Sequence, residues 1–382
     1  MRAAVVYDCL FPLTHGGGER VYRSLSELLV ERGYELDYVT RQLPGVASAP
    51  FAVVPVWNGE IYDDHGARTP GGALKFAAGV YRHFRAHRRD YDIVVASALP
   101  VLTLLAARAA LVGSPTVLVG DWLEVWTWRK WRSYSGAIAG TAAWMLQWVG
   151  ARAASVHTVN SSFTARSLAR VRRSVSPVVL GLVDLVPGTG NAAPVPAADP
   201  PYVLFVGRLI DDKRAHVIPA ALEVARRSIP GLQAILVGDG PELARVRSEI
   251  AAHGLDNEIR ILARVSDDEL VSLMRSAAVL VNPSRREGFG LVVVEAAAAG
   301  TPSIVVRGVD NAAVDLIEPE NGLVVDDIGA EAVAGAIVSI VNAGMPLRYS
   351  TAAWFERART ARGLSASVDR LLAAVSARSG AR

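Results

Sequence analysis

Short apolar runs rich in β-branched residues alternate with longer amphipathic stretches, and the alternation occurs twice, once on each side of a segment without periodicity. That pattern calls for βαβ units and mostly parallel sheets, because each pair of parallel strands needs a crossover long enough to hold a helix. In the first half the spacing predicts strands over 3–7, 35–40, 52–56, 93–96, 116–119, 155–159 and 177–180. In the second it predicts strands over 202–206, 233–237, 259–262, 278–281, 303–306 and 323–325. Between Asp184 and Pro201 the chain turns to Pro, Gly, Asn and Ala, a linker composition that marks a domain boundary. The fold class is therefore α/β, with Rossmann-like doubly wound domains over 1–185 and 186–345. After Ala330 three helical segments finish the chain, one carrying Trp354 and Phe355, and 346–382 is a candidate strap across the domains.

A length of 382 residues is more than one ordinary core fills, and 51% hydrophobic against 20% charged residues leaves little room for disorder. The one cysteine, Cys9, has no partner for a disulfide or a thiolate metal site, which fits a reducing compartment and a packing role. The N-terminal apolar run Ala3 to Tyr7 ends at Asp8, too soon for a signal peptide. The stretch from Ser133 to Ala151 carries Ser, Thr, Gln and Gly, which argues against a membrane-crossing helix. A cytoplasmic location is expected, with the inner face of the membrane as a candidate place. Residues 1–185 hold 20 Lys and Arg against 14 Asp and Glu, a net +6, while the remainder holds 20 against 23, a net −3. The basic half should face an acidic partner. Lysine occurs only at positions 75, 130 and 213, so Lys213 stands out against the arginine background.

Gly16, Gly17 and Gly18, with His15, Glu19 and Arg20 around them, follow the first strand and open the first helix. Free N–H groups and the positive dipole end make an anion site there, and glycine lets a phosphate approach; the alternative is a turn that needs glycine conformations. A dinucleotide oxidoreductase would need a third glycine where Val21 stands and an acidic end to the second strand, which instead reads Val39-Thr40-Arg41. Gly207 and Arg208 end the first strand of the second half, and Lys213 follows before a helix. Both cations project from the carboxyl edge of the sheet, where open α/β folds bind ligands and where a departing diphosphate needs positive charge. Two solvated basic residues are the bland alternative. Further on, Glu287-Gly288-Phe289-Gly290-Leu291 runs from a strand end into a helix bearing Glu295. One carboxylate could hold a transferred sugar and the other a ribose, with helix amides near Gly290 and Leu291 adding contacts.

With these motifs in family order, joined by Asn160-Ser161-Ser162-Phe163 and Gly238-Asp239-Gly240-Pro241, the chain resembles the family-4 retaining nucleotide-sugar glycosyltransferases. The resemblance implies the GT-B architecture, two Rossmann-like domains facing each other across a cleft. It also implies that Arg208 and Lys213 grip the donor diphosphate, that Glu287 positions the sugar and that Glu295 binds the ribose. The glycine loop would approach the phosphates on closure. Transfer would proceed with retention, with no protein nucleophile, cofactor or metal, from a UDP-sugar or GDP-mannose to a lipid-linked or cell-envelope acceptor. Many relatives carry a histidine after the strand where this chain reads Gly120-Asp121-Trp122. Asp121 either takes over its contacts or caps the following segment. A sugar-nucleotide-binding protein without transfer activity is the competing function.

The literal metal-binding pattern Asp90-Tyr91-Asp92 precedes its strand and reads as a helix-to-strand turn. Two segments, Tyr81 to Arg89 and Trp126 to Arg132, mix cations with aromatics in a way that suits an anionic membrane interface. Ile138, Thr141, Met145, Trp148 and Val149 recur at helical spacing, and core packing is the preferred reading of that face. No nucleic-acid-binding module accompanies the positive charge.

Overall fold

The computed structural model describes residues 1–14, 16–45, 48–61, 69–186 and 193–379. The chain divides into two compact units, Met1–Leu185 with Arg362–Arg382, and Val186–Ala361. The tail is shared between them.

The first unit is built from β1 (Arg2–Val6), α1 (Gly17–Glu31), β2 (Glu35–Arg41), β3 (Ala52–Trp57), α2 (Pro70–Ala86), β4 (Ile93–Ser97) and α3 (Val101–Ala110). It continues through β5 (Val117–Trp122), α4 (Trp128–Ser135), α5 (Ala137–Ala153), β6 (Val156–Val159), α6 (Ser162–Val171) and β7 (Val178–Val179). Its seven strands lie in the order β3-β2-β1-β4-β5-β6-β7, and every pair is parallel. Ala4, Val6, Val94, Ala96 and Leu118 on the strands are buried with Phe76, Val80 and Phe84 of α2, which is why these runs read as continuous hydrophobic stretches rather than alternating ones.

The second unit runs through β8 (Tyr202–Val206), α7 (Ile218–Arg226), β9 (Gln233–Val237), α8 (Leu243–Ala252), β10 (Ile259–Leu262), α9 (Asp267–Ser276) and β11 (Val279–Asn282). There follow β12 (Arg286–Glu287), α10 (Leu291–Ala298), β13 (Ser303–Val306), β14 (Asp310–Asn311), β15 (Gly322–Val325) and α11 (Ala330–Ala361). The six-stranded sheet has the order β10-β9-β8-β11-β13-β15, and β12 pairs with β14 in a separate ribbon. The strand order reverses between β8 and β11, so the loops after these two strands flank the topological switch point. α11 breaks at Gly344, where φ is +57° and ψ −142°, just before Pro346. The final helix, α12 (Leu364–Ser379), belongs to the first unit, where Arg32 Nε lies 2.6 Å from Asp369 Oδ1 and Asp184 accepts the Leu364 N–H.

The predicted strands all form, with ends differing by at most three residues. The ribbon β12–β14 was not predicted, because two-residue strands carrying charged side chains leave no periodicity to read.

Candidate active site

Two loops meet at the switch point of the second sheet. The loop after β8 is tied to the loop after β9: Leu209 N–H donates to Asp239 O at 2.8 Å, and Glu242 N–H donates to Leu209 O at 2.9 Å. Gly238 and Gly240 allow this lacing, since a Cβ at either would strike the carbonyl of Gly207 or Leu209. Arg208 stands exposed at that edge, and Gly207 holds the strand end through its N–H to Val237 O at 2.9 Å.

Lys213 closes a single 3-10 turn, Asp211–Lys213, and its Nζ lies 2.5 Å from Glu287 Oε2. Their side chains retain 22% and 17% exposure, so the pair is largely withdrawn from water yet still reachable. The neighbouring acids are already engaged. Arg285 binds Asp212 through Nε at 3.1 Å and Nη2 at 2.8 Å and reaches Asp211 at 2.9 Å, and Arg286 lies 3.4 Å from Asp212 Oδ2. With Asp211 and Asp212 so neutralised, Glu287 is the carboxylate that Lys213 meets. Backbone pairing of Glu287 with Asn311 fixes its height at the edge, and Asn311 donates to Ser284 O and Val306 O.

Gly288 and Phe289 follow half-buried, and Gly290 caps α10 at φ +103°. A Cβ at Gly290 would come within 2.6 Å of Ala313 Cβ, so packing and backbone both require glycine. Leu291 then opens α10, whose first N–H groups carry the positive end of the helix dipole. Glu295 sits half-buried in the second turn of the same helix. Arg208, Lys213, Glu287, Leu291 and Glu295 thus all arise from elements that leave the switch point.

Sequence reasoning missed Arg214. Among the described residues it is the only non-glycine with positive φ, +50°, and its Nε donates to Pro283 O at 2.8 Å. Burial, with the Arg285 charge nearby, pushes its pKa down. This contact fastens the turn that presents Lys213 to the β11 loop, and nothing marked it among forty basic residues.

In the first unit Gly17 opens α1, and His15 lies outside the described residues. The glycines beside it have packing roles: a Cβ at Gly16 would strike the Glu19 carboxylate, and one at Gly18 would come 2.9 Å from Tyr7 Oη. Neither Gly16 nor Gly18 has a left-handed φ, so glycine at these two positions provides space rather than a special backbone conformation. Asp121 is fully buried. It accepts hydrogen bonds from Tyr22 Oη and Thr158 Oγ1, each at 2.5 Å. Burial raises its pKa against the opposing effect of these two donors. Of the two readings of Asp121, the cap is taken by another residue: Thr127 caps α4, accepting the Lys130 N–H at 3.3 Å. Asn160 and Ser161 are likewise structural, with Ser161 capping α6 through the Thr164 N–H. At the other edge of the sheet Asp92 accepts the Arg2 N–H, and Asp90 lies 2.9 Å from His87 Nδ1.

Two doubly wound parallel sheets, the second with cations, carboxylates and a helix N-terminus at its switch point, define the GT-B class of α/β proteins. The family described as "Glycosyltransferase Family 4" matches residues 15–185, and "Glycosyl transferases group 1" matches residues 191–355. A glycogen synthase of Mycobacterium tuberculosis is 32% identical over 171 residues, which are 45% of this chain and 39% of that protein, so this chain spans well under half of that relative. The GDP-mannose-dependent alpha-(1-6)-phosphatidylinositol monomannoside mannosyltransferase of the same organism is 28% identical over 341 residues, 81% of this chain and 85% of that protein. In fold, sucrose-phosphate synthase from Thermosynechococcus elongatus aligns with a TM-score of 0.79 at 20% identity over 100% of both chains. The chain belongs to the family-4 type of glycosyltransferases with the GT-B fold.

Proposed function

We propose that this protein transfers a hexosyl group, with retention and without a metal, from a UDP-sugar or GDP-mannose to a lipid-linked or cell-envelope acceptor. The observation that carries the reading is the Lys213–Glu287 pair, 2.5 Å apart at the switch point beside Arg208. Arg208 and Lys213 bind the diphosphate and stabilise the charge that develops as the bond from the anomeric carbon to phosphate breaks. Glu287, held as a partner of Lys213, accepts a hydrogen bond from a sugar hydroxyl, which suits it to position rather than to attack. Gly288, Phe289, Gly290 and Leu291 lead into the α10 amides that approach the sugar and phosphates, Gly207 leaves room beside Arg208, and Glu295 takes the ribose hydroxyls. The acceptor oxygen attacks the anomeric carbon on the face the phosphate leaves, and the departing phosphate oxygen takes the acceptor proton. Asp121 acts as a positioning residue behind Tyr22. The two cations supply the positive charge that a metal would otherwise bring. The reaction is placed at the cytoplasmic side of the membrane.

The test is to incubate the purified chain with UDP-, GDP- and ADP-sugars, follow nucleoside diphosphate release with and without chelator, and read the anomeric configuration of the product by NMR. Chelator-insensitive release with a retained anomer is expected. An inverted anomer or a chelator-abolished reaction contradicts the mechanism, and donor binding without any turnover assigns the chain to the non-catalytic binders.

A further inference from the structure

From Val125 to Val183 the chain contains no carboxylate and eight Lys and Arg residues. The segment includes α4 and α5, and it is turned inside out relative to an ordinary surface helix. In α5 the buried positions are Gly140, Gln147, Gly150 and Ala151. The side the helix buries is thus small: a Cβ at Gly140 would strike the Trp131 carbonyl, and one at Gly150 would strike the Val101 side chain. The large apolar residues face out. Ile138 is 89% exposed, Met145 56% and Val149 46%, with Leu146 and Trp148 exposed beside them. These positions follow the helical repeat, so they form one continuous stripe. The expectation that this face packs in the core is corrected by these exposures.

α4 buries none of its residues and leaves Trp128 and Tyr134 exposed. Cations lie over indoles of this region: Arg152 is 3.6 Å from the Trp148 ring centroid on α5, Arg132 4.4 Å from Trp128 on α4, and Lys130 4.5 Å from the buried Trp126. Between α5 and α6 a groove of about 290 Å³ is walled by Trp126, Trp128, Trp144 and Trp148 and bounded by Arg170. The other aromatic and basic segment, Tyr81 to Arg89, is different. Phe84 of that segment and Val80 just before it are fully buried, so α2 directs its apolar side into the first unit's core.

We propose that the α4–α5 face is the surface by which this protein docks on an anionic phospholipid bilayer, with the Trp-lined groove taking the headgroup region of one anionic lipid against Arg170. Glu124, just before this run, is the acid bound to Trp126 Nε1; protruding aliphatic side chains, indoles at their edge and a run of cations with no acid from Val125 to Val183 are the three features an acidic membrane surface selects. A second copy of this chain fits poorly, because a two-fold pairing of the face would set its cations against one another. The inference does not rest on the transfer reading; a chain that bound no nucleotide sugar would present the same surface.

The experiment is co-sedimentation of the full chain with vesicles of phosphatidylcholine alone or mixed with phosphatidylglycerol, at low and high salt. Tryptophan emission is followed in parallel, and sedimentation velocity measures self-association. The expected result is salt-sensitive binding to the anionic vesicles only, with a blue shift of the exposed indoles. Each surface cation contributes roughly fivefold to such partitioning, so Arg129→Gln with Arg152→Gln should weaken binding about thirty-fold. Ile138→Ser with Met145→Ser and Val149→Ser should abolish the blue shift while leaving the melting temperature unchanged, because all three side chains are exposed. Equal partitioning onto neutral and anionic vesicles, or wild-type binding by both variants, overturns the proposal. Dimers that the serine variant dissolves, in a protein that ignores vesicles, also overturn it and give the face to a second copy.

Discussion

Removing either member of the Lys213–Glu287 pair should separate donor binding from transfer. The ammonium and carboxylate satisfy each other at 2.5 Å, with both side chains largely buried. Glu287→Ala leaves Lys213 a largely desolvated cation without its anion, a state that costs stability until a ligand phosphate takes the carboxylate's place. Lys213→Ala removes the charge the phosphate would meet. A hydrogen bond involving an ionised group contributes about 1.5–3 kcal/mol, which converts to roughly 10- to 150-fold in affinity. Lys213→Ala should therefore weaken nucleoside diphosphate binding by that factor. Glu287→Ala should bind the bare nucleoside diphosphate as tightly as the wild type or more tightly, with a larger ligand-induced rise in melting temperature. Its transfer rate should still fall by about a hundredfold or more, because the sugar loses the group that positions it. Calorimetry with UDP and GDP, thermal melts with and without ligand, and steady-state transfer on the same preparations give all three quantities. If Glu287→Ala loses nucleoside diphosphate affinity as severely as Lys213→Ala, the division of labour argued from the pair is wrong.

Two further outcomes follow from single residues. Burial, helped by the Arg172 charge, holds the His157 pKa down at about 4 against an ordinary value of 6.5. The unfolded chain takes up this proton first as pH falls, so His157 contributes stability that is fully present above pH 6.5 and lost on the way down to pH 4. The loss should reach about 2 kcal/mol by pH 5, and urea titrations at neutral and mildly acid pH should show that increment vanish in His157→Gln; an unchanged pH dependence in the variant refutes it. Gly290→Ala, which places a methyl 2.6 Å from Ala313 Cβ at φ +103°, should cost about 1–3 kcal/mol and shift the start of α10. A variant with wild-type melting temperature and donor affinity would show that the tight approach is dispensable.

The sheets were legible because parallel strands buried on both faces write themselves as β-branched runs. The placement of Arg208, Lys213, Glu287 and Glu295 near the second switch point was legible, because they follow strand ends that the pattern located. Their pairing was not, since Lys213 and Glu287 are 74 positions apart and Asp211 and Asp212 were equally plausible partners until Arg285 took them. The two readings of Asp121 could not be separated for the same reason: its partners, Tyr22 and Thr158, lie 99 and 37 positions away. The helical repeat in α5 was read correctly and its direction was not. A periodic apolar stripe looks the same in sequence whether it faces a core or solvent.

The most direct test of the central claim, that the switch point of the second sheet is the nucleotide-sugar site, is calorimetric titration of wild-type protein and Arg208→Ala with UDP-glucose and GDP-mannose. One of the two should bind the wild type at a single site, and the variant should bind it at least tenfold more weakly with its melting temperature intact. Arg208 is exposed, so its loss should not disturb the fold. Donor affinity unchanged in Arg208→Ala, or absent for both sugars in the wild type, would contradict the account.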